Sequence, residues 1–164
     1  MSQVVAFTDG GCRGNPGVGA WAFVLVDAGS RKALEAAGGE RATTNNRMEM
    51  WAAIAALEAV KKRDTPMLIV SDSKYLIGCC TQWMAGWKKN GWKRKGDPLK
   101  NLDLLHKLDE LLSGRRVEFR WVAGHSGHVG NEHVDRLGNE AMDRLEQGLD
   151  PAHERRFDWA GPLS

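Results

Sequence analysis

Short apolar runs bounded by turn residues mark the strands of this chain. Residues 4–7, 20–26 and 67–70 are continuous apolar runs, which is typical of strands buried on both faces. Residues 32–40 form a weaker candidate, and Val117–Trp121 alternates apolar and polar positions like a half-buried strand. The short connections among the first three strands predict an antiparallel meander.

Apolar residues recur at helical spacing in three further segments. These stripes are Met50, Trp51, Ile54, Leu57 and Val60; Leu102, Leu105, Leu108 and Leu112; and Val134, Leu137, Ala141 and Leu145. A short helix is also predicted over residues 73–80. Helices between the later strands require parallel pairing, so the pattern predicts an α/β fold with a mixed sheet. The polar segment 148–164, interrupted by proline and glycine, is predicted to be a loosely ordered tail.

Composition places the chain among ordinary water-soluble proteins. Its 164 residues fit one domain, 42% of them are hydrophobic, and the net charge is only +2. No apolar run approaches 18 residues and no signal-peptide pattern precedes the first strand, so we expect no membrane association. The three cysteines, Cys12 and the pair Cys79-Cys80, lack disulfide-framework spacing. We therefore expect a cytoplasmic protein, and a monomer because no oligomerisation stripe stands out.

Four acidic residues stand at structural boundaries. Asp9 and Asp72 follow buried strands, Glu49 lies in the first turns of a predicted helix, and Asp135 follows the glycine-rich loop 124–130. The carboxyl ends of adjacent parallel strands meet at one edge of a sheet, which would place Asp9 beside Asp72. Carboxylates this close repel each other unless a cation joins them, and Mg²⁺ prefers oxygen ligands. The pattern indicates a site for one or two Mg²⁺ ions, with Mn²⁺ as the expected substitute.

Each acid also has a purely structural interpretation. Glu49 would complete a capping box with Asn46, Asp9 would form a turn before Gly10-Gly11, and Asp72 would cap the following helix. Asp135 would belong to a solvated helix face. Four acids on these particular elements favour the metal site over four separate coincidences.

His125 lies in the same glycine-rich loop, which should be mobile. A histidine beside a metal site can carry a proton to a leaving group. The alternative is a zinc site made by His125, His128 and His133, which no suitably spaced cysteine accompanies.

Residues 83–100 carry six basic residues and one acid, and three of the seven tryptophans. Lysines neutralise phosphates and aromatic rings pack on sugars or bases, so this segment predicts a nucleic-acid contact. The alternative is a surface helix whose tryptophans anchor it in the core. Asn15, Thr44 and Asn45 add neutral groups suited to phosphates or 2′-hydroxyls, and are equally good turn or cap residues.

Motifs in consistent order along the chain resemble bacterial-type ribonuclease HI. They are residues 7–17, 43–50, 71–75, 83–92, 121–128 and 131–135. The resemblance covers residues 1–147 as a catalytic domain and implies a ribonuclease H-like fold, with a five-stranded mixed sheet flanked by helices. It also implies an endonuclease that cuts the RNA strand of RNA–DNA hybrids and leaves 5′-phosphate and 3′-hydroxyl ends.

The resemblance also implies roles for individual residues. Its metal-binding catalytic acids fall on Asp9, Glu49, Asp72 and Asp135, and its proton-transfer or product-release histidine falls on His125. Its substrate contacts fall on Cys12, Asn15 and Asn45 for the RNA strand, Thr44 for a DNA phosphate, and a basic protrusion for the DNA strand that includes Trp83, Trp87, Lys88, Lys89 and Trp92.

Two positions depart from the pattern. Lys74 stands where the family often has glutamine, which adds a positive charge beside the site and its RNA contacts. Val129-Gly130 stands where a more rigid, proline-containing loop is expected. The tail, residues 148–164, is also a candidate location for a motif that docks a replication protein.

Three other functions compete with this one. The first is another nuclease or strand-transfer enzyme on the same fold, such as a resolvase or integrase core. The basic Trp-rich segment and the Gly-His loop disfavour it, because the resemblance ties both to the ribonuclease. A non-catalytic hybrid-binding module would have lost part of the acidic quartet. A nucleotide-binding regulator would want a glycine-rich loop leading into a helix, whereas residues 10–17 lead into a strand.

Overall fold

The computed structural model describes residues 2–164, except for the side chain of Pro98. Its strands are β1 (Val4–Gly14), β2 (Gly17–Asp27), β3 (Lys32–Thr43), β4 (Met67–Ser71), β5 (Lys93–Arg94), β6 (Asp97–Pro98), β7 (Val117–Trp121) and β8 (His153–Asp158). Its helices are α1 (Asn45–Ala59), α2 (Lys74–Gly78), α3 (Met84–Lys89), α4 (Leu102–Leu112) and α5 (Val129–Glu146), with a π-helical segment, Cys79–Trp83, joining α2 to α3. None of the helices within residues 2–164 combines the length and apolar character that a membrane span requires.

The main sheet is mixed and has the strand order β7-β4-β1-β2-β3-β8. Strands β1, β2 and β3 form the predicted antiparallel meander. Strands β4 and β7 add to β1 in parallel, as the intervening helices require. A separate two-stranded ribbon, β5 with β6, lies in the basic segment. The predicted α/β class and ribonuclease H-like arrangement are confirmed.

Side chains of alternate residues in the central strands lie on opposite faces of the sheet and belong to two separate hydrophobic cores. Ala6 belongs to the face covered by α1 and α4, with Leu57 and Leu108 among its fully buried residues. Phe7 belongs to the face covered by α5. There the helix approaches closely at Gly130, where any side chain would overlap the Phe7 ring. The alternation therefore buries the first half of β1 on both of its faces, between two packed layers.

The tail is the main difference from the predicted fold. Residues 153–158 form β8, which pairs antiparallel with β3, so the sheet has six strands instead of five. Beyond the strand, Trp159 is 5% exposed and stacks on Phe7 with ring centroids 5.3 Å apart. The prediction of a loosely ordered tail is wrong for this segment, because pairing satisfies the edge of β3 and Trp159 gains apolar burial.

Candidate active site

Asp9 and Asp72 meet as the parallel topology predicts. Phe7 of β1 lies opposite Val70 of β4 in the parallel register. Asp9 lies two residues beyond Phe7 within β1, and Asp72 lies two residues beyond Val70, directly after β4 ends at Ser71. Both lie just past the last β1–β4 pair. The strand order, more than any local preference, brings these carboxylates together. The prediction that the first strand ends at Asp9 is wrong, because β1 continues to Gly14 through its antiparallel pairing with β2.

Glu49 reaches the same point from the helix side of the sheet. Helix α1 begins at Asn45, and the Thr44 side chain caps it by accepting a hydrogen bond from the Arg47 N–H at 3.3 Å. The predicted capping box with Asn46 does not form. Instead the Glu49 Oε1 atom accepts a hydrogen bond from the Gly10 N–H at 2.7 Å.

Gly10 makes that approach possible. A side chain at this position would overlap the α1 backbone at Met48 and Glu49. Glycine therefore allows the strand and the helix to come close enough for Glu49 to reach Asp9 and Asp72.

Asp9, Glu49 and Asp72 each offer a carboxylate oxygen, and these oxygens lie within 4.8 Å of one another. Asp9 is 8% exposed and Glu49 is 4% exposed. Burial, followed by the charges of Asp72 and Asp135, raises the pKa of Asp9 to about 9. Burial, together with Asp9 and Asp72, likewise raises the pKa of Glu49 well above its ordinary value. The cluster is electrostatically incomplete without a cation.

Lysine and arginine do not supply that charge. Within residues 2–164, no salt bridge joins a basic side chain to these three carboxylates. All the donors are hard oxygens, which are the ligands of Mg²⁺ and Mn²⁺ and a poor set for soft metals. The residues present therefore fit a divalent metal.

Asp135 joins the site from the opposite face of the sheet. It lies in the second turn of α5, and its charge contributes to the raised pKa of Asp9. The Asn139 side chain donates to the Asp135 backbone oxygen at 3.0 Å and to its Oδ2 atom at 3.3 Å. Sequence reasoning missed Asn139, although its spacing of four residues on a helix was available as a signal.

His125 and the four acids line one open cleft of about 670 Å³. His125 is exposed and has a positive φ of 54°. Helix α5 begins four residues after His125, at Val129. The His128 Nδ1 atom caps this helix by accepting a hydrogen bond from the Asn131 N–H at 3.0 Å. That cap lies just before Val129-Gly130, the segment where proline was expected.

The zinc alternative is not supported. His128 caps α5, and His133 bonds to Glu35 at 2.8 Å. Across residues 2–164, the carboxylates of Asp9, Glu49 and Asp72 are the one group of three ligands close enough to hold a metal.

The predicted substrate residues occupy two zones. Cys12, Asn45 and Lys74 line the cleft together with the acids. The Asn15 Oδ1 atom accepts from the Asn45 N–H at 3.1 Å, which ties the turn after β1 to the start of α1. Thr44 contributes its hydroxyl to the α1 cap next to them.

The Trp-rich segment 83–100 has features of both predictions made for it, a nucleic-acid contact and a surface helix anchored in the core by its tryptophans. Trp83 is 42% exposed, with its ring centroid 6.0 Å from that of Trp87. Trp87 and Trp92 pack partly buried against the core, as surface-helix anchors would. Lys88 pairs with Asp109 at 3.1 Å, whereas Lys89 is exposed at the end of α3. The segment thus exposes the Trp83 ring and the Lys89 charge, while Trp87 and Trp92 pack it against the core.

Comparison with known proteins agrees with this geometry. The RNase H family model matches residues 1–143. A protein of Maricaulis maris called Ribonuclease H is 51% identical over 138 residues, which cover 84% of this chain and 91% of the relative.

Solved structures show the same fold. LC9-RNase H1, described as a type 1 RNase H with the type 2 active-site motif, superposes with a TM-score of 0.81 at 29% identity, over 98% of this chain and 79% of that one. LC11-RNase H1, solved in complex with an RNA/DNA hybrid, gives a TM-score of 0.63 at 25% identity, over 87% and 99%.

The fold and the acidic cluster together define a metal-dependent hydrolase on a mixed α/β sheet. The chain belongs to the RNase H family, which confirms the resemblance seen in its sequence motifs.

Proposed function

We propose that this protein is an endonuclease that hydrolyses the RNA strand of RNA–DNA hybrids and leaves 5′-phosphate and 3′-hydroxyl ends. The observation that carries the proposal is the group of three carboxylates within 4.8 Å, placed where the parallel pairing of β1 with β4 ends. Membership of the RNase H family supports it, and LC11-RNase H1 is a member bound to such a hybrid. The Maricaulis maris relative is called Ribonuclease H, which favours this activity over strand transfer.

Mg²⁺ is the proposed cofactor, with Mn²⁺ able to replace it. Asp9, Glu49 and Asp72 would hold the ion, and Asp135 would complete the set from α5. One or two bound ions would supply Lewis-acid activation of a water and stabilisation of the leaving oxygen of a phosphodiester. The raised pKa values of Asp9 and Glu49 support this assignment, because both groups need added positive charge to ionise.

The protein's own groups would orient this chemistry. The Gly10 N–H holds Glu49, and the Asn139 amide holds Asp135, so neither carboxylate is free to rotate away from the cleft. His125, exposed at the cleft wall, would deliver a proton to the 3′-oxygen as it leaves, or assist product release.

Substrate recognition would use both zones. Cys12, Asn15 and Asn45 would contact the RNA strand, with its 2′-hydroxyls in reach, and Thr44 would contact a DNA phosphate. Lys74 would add a positive charge on the cleft wall. The segment 83–100 would bind the DNA strand through Trp83, Trp87, Lys88, Lys89 and Trp92.

A site that requires one RNA strand and one DNA strand rejects duplexes made of either nucleic acid alone, because one of their strands does not fit. DNA lacks 2′-hydroxyls, and a contact shaped for a DNA strand excludes double-stranded RNA. We infer that residues 1–147 are the catalytic domain, since they carry all four acids of the cleft, and that the protein is a cytoplasmic monomer with reduced cysteines.

The test is cleavage of one labelled RNA presented alone, in a DNA hybrid and in an RNA duplex, with Mg²⁺ or EDTA. The proposal predicts metal-dependent cutting confined to the hybrid, with 5′-phosphate products. Binding of the hybrid without cutting would identify a non-catalytic module. Equal cutting of all three forms would overturn the selectivity argument.

A further inference from the structure

Lys74 lies among the acids of the cleft without pairing with them. It is the first residue of α2 and is exposed at the cleft wall. Within the described residues it takes part in no salt bridge. Its Nζ atom lies instead over the indole ring of Trp121, 4.7 Å from the ring centroid. A cation over an aromatic face at this distance is attracted to it.

Trp121 is itself fixed to the catalytic strand end. It is the last residue of β7 and lies opposite Ser71 in the parallel register with β4. Its Nε1–H donates to the backbone oxygen of Asp72 at 3.1 Å. The side chain is not a core residue, since Trp121 is 45% exposed. One edge of the indole thus holds the main chain at Asp72, and one face holds the ammonium of Lys74.

We propose that Trp121 is a positioning residue that keeps the Lys74 ammonium beside the acidic cluster but off it, directed to a backbone phosphate of the bound nucleic acid. This inference rests on the proposed function. It concerns Trp121, which lies in one of the family motifs but to which the resemblance assigned no role, and the lysine at which this chain departs from the family pattern.

Without Trp121, the Lys74 ammonium would be free to move toward the acids of the cleft. Four acids line the cleft, and within the described residues no salt bridge joins Asp9, Glu49 or Asp72 to a basic side chain. A flexible ammonium nearby would pair with them and compete with the divalent cation. Holding Lys74 over the ring reduces this competition and leaves its charge available to phosphate. Trp121 therefore serves cation binding and substrate binding together.

The first experiment measures the KM for a hybrid against salt concentration. Lys74→Gln and Trp121→Leu should each raise KM roughly two- to fivefold, with little change in kcat. Each should also flatten the log–log salt slope by about 0.7–0.9, the value of one phosphate contact. The double variant should be no worse than either single variant. Trp121→Phe keeps an aromatic face and should retain most of the slope.

Lys107→Gln is the matched control. Its Nζ atom lies 4.9 Å from the ring centroid of Trp51, so it removes the same charge from the same kind of contact away from the cleft. It should leave the KM and the salt slope unchanged.

The second experiment measures Mn²⁺ binding without substrate, by isothermal titration calorimetry. Trp121→Leu should weaken binding about two- to fivefold, because Lys74 is released toward the acids. Adding Lys74→Gln to that variant should restore the wild-type affinity. A purely structural role for Trp121 predicts no such restoration.

The outcomes separate this inference from the proposed function. If the wild-type protein does not cut the hybrid, the proposed function fails. If the wild type cuts but Trp121→Leu keeps the wild-type salt slope, the positioning role is wrong. Equal loss of slope in Trp121→Phe and Trp121→Leu would also overturn it, since the ring face would then not hold the lysine. Unchanged Mn²⁺ binding in Trp121→Leu would overturn the competition argument.

Discussion

Two buried carboxylate sites on the same sheet have opposite electrostatics. Glu35 on β3 is 2% exposed, and burial alone would raise the pKa of its carboxyl. Hydrogen bonds from Arg155, His153 and His133 outweigh burial and lower the pKa of Glu35 to about 2. Asp9 on β1 is 8% exposed, has no such partners, and has its pKa raised to about 9.

The opposite pKa shifts distinguish Glu35, whose charge has a structural role, from Asp9, whose charge has a functional one. Around Glu35, the protein supplies the compensating groups itself, and they join β3 to α5 and to β8. Around Asp9 the compensation has to come from outside the chain. A buried carboxylate with its cations built in stabilises the fold, whereas one without them makes the fold depend on a ligand.

The largest expected effect is on cleavage by Asp9→Asn. The substitution removes one metal-binding charge at nearly constant shape. Cleavage of the hybrid should fall at least about 1,000-fold, which corresponds to about 4 kcal/mol of transition-state stabilisation. Single-turnover gel assays measure the rate, and fluorescence anisotropy should show that the hybrid still binds.

Asp64→Asn is the control for this change, because Asp64 is exposed in a turn outside the cleft. It should cleave like the wild type. Retention of wild-type turnover by Asp9→Asn in Mg²⁺ would show that Asp9 is not part of the catalytic set.

Neutralising the compensated carboxylate should instead cost stability. Glu35→Gln leaves three donors without a charged acceptor, but these partners are partly exposed, with side-chain accessibilities of 17%, 26% and 54%. We expect a loss of about 2–3 kcal/mol in the free energy of unfolding at pH 7, below the range for fully buried pairs. Urea unfolding measures it, and Glu154→Gln, an exposed acid on β8, should be nearly neutral.

The pH dependence of that loss follows from the sign of the pKa shift. The pKa of Glu35 falls from an ordinary 4.5 to about 2 in the folded protein. Its contribution is therefore present above pH 4.5 and is lost as the pH falls through about 2. A difference between wild type and Glu35→Gln that persisted unchanged at pH 2 would contradict the assignment.

The uncompensated site predicts the opposite sign for stability. The pKa of Asp9 rises from 3.8 to about 9 on folding, so between these values the folded protein binds more protons than the unfolded chain. Its stability therefore decreases as the pH rises through this window. Asp9→Asn removes the cost and should stabilise the metal-free protein by about 2 kcal/mol at pH 7.

Urea unfolding in EDTA measures this gain, which should be smaller at pH 5 than at pH 7. Destabilisation by Asp9→Asn would mean that the carboxylate is compensated in the metal-free protein after all.

The smallest effect is the stabilisation by Mg²⁺ itself. At ten times its dissociation constant, Mg²⁺ should stabilise the folded protein by about 1.4 kcal/mol. At a fixed Mg²⁺ concentration the gain should be larger at pH 8 than at pH 6, because protons on Asp9 and Glu49 compete with the metal. Thermal unfolding with and without EDTA measures it. Glu35→Gln should respond to Mg²⁺ like the wild type, since its site does not bind the ion.

Much of the catalytic cleft could be predicted because its positions follow from local patterns. Asp9 and Asp72 each follow a buried apolar run in the sequence, and the parallel pairing of these runs brings the two aspartates together. The Glu35 cluster could not be predicted in this way. Its partners lie 98 to 120 residues away along the chain, and no spacing rule joins His133 to Arg155. The alternation of Phe157 and Trp159 was the available signal for β8, but it lay in a segment otherwise polar.

The amino-acid sequence by itself determined most of the helices and the strands of the sheet other than β8, the positions of the acids beside them, and the family motifs that the chain carries. Apolar periodicity and turn residues act over a few residues, so they can be read locally. Tertiary structure decided which charges are compensated. Glu35 is paired with Arg155, His153 and His133, whereas within residues 2–164 no salt bridge joins Asp9 or Glu49 to a basic side chain, and Lys74 lies over the ring of Trp121. The reason is that electrostatic partners are set by distance and burial in space, which depend on how distant segments pack.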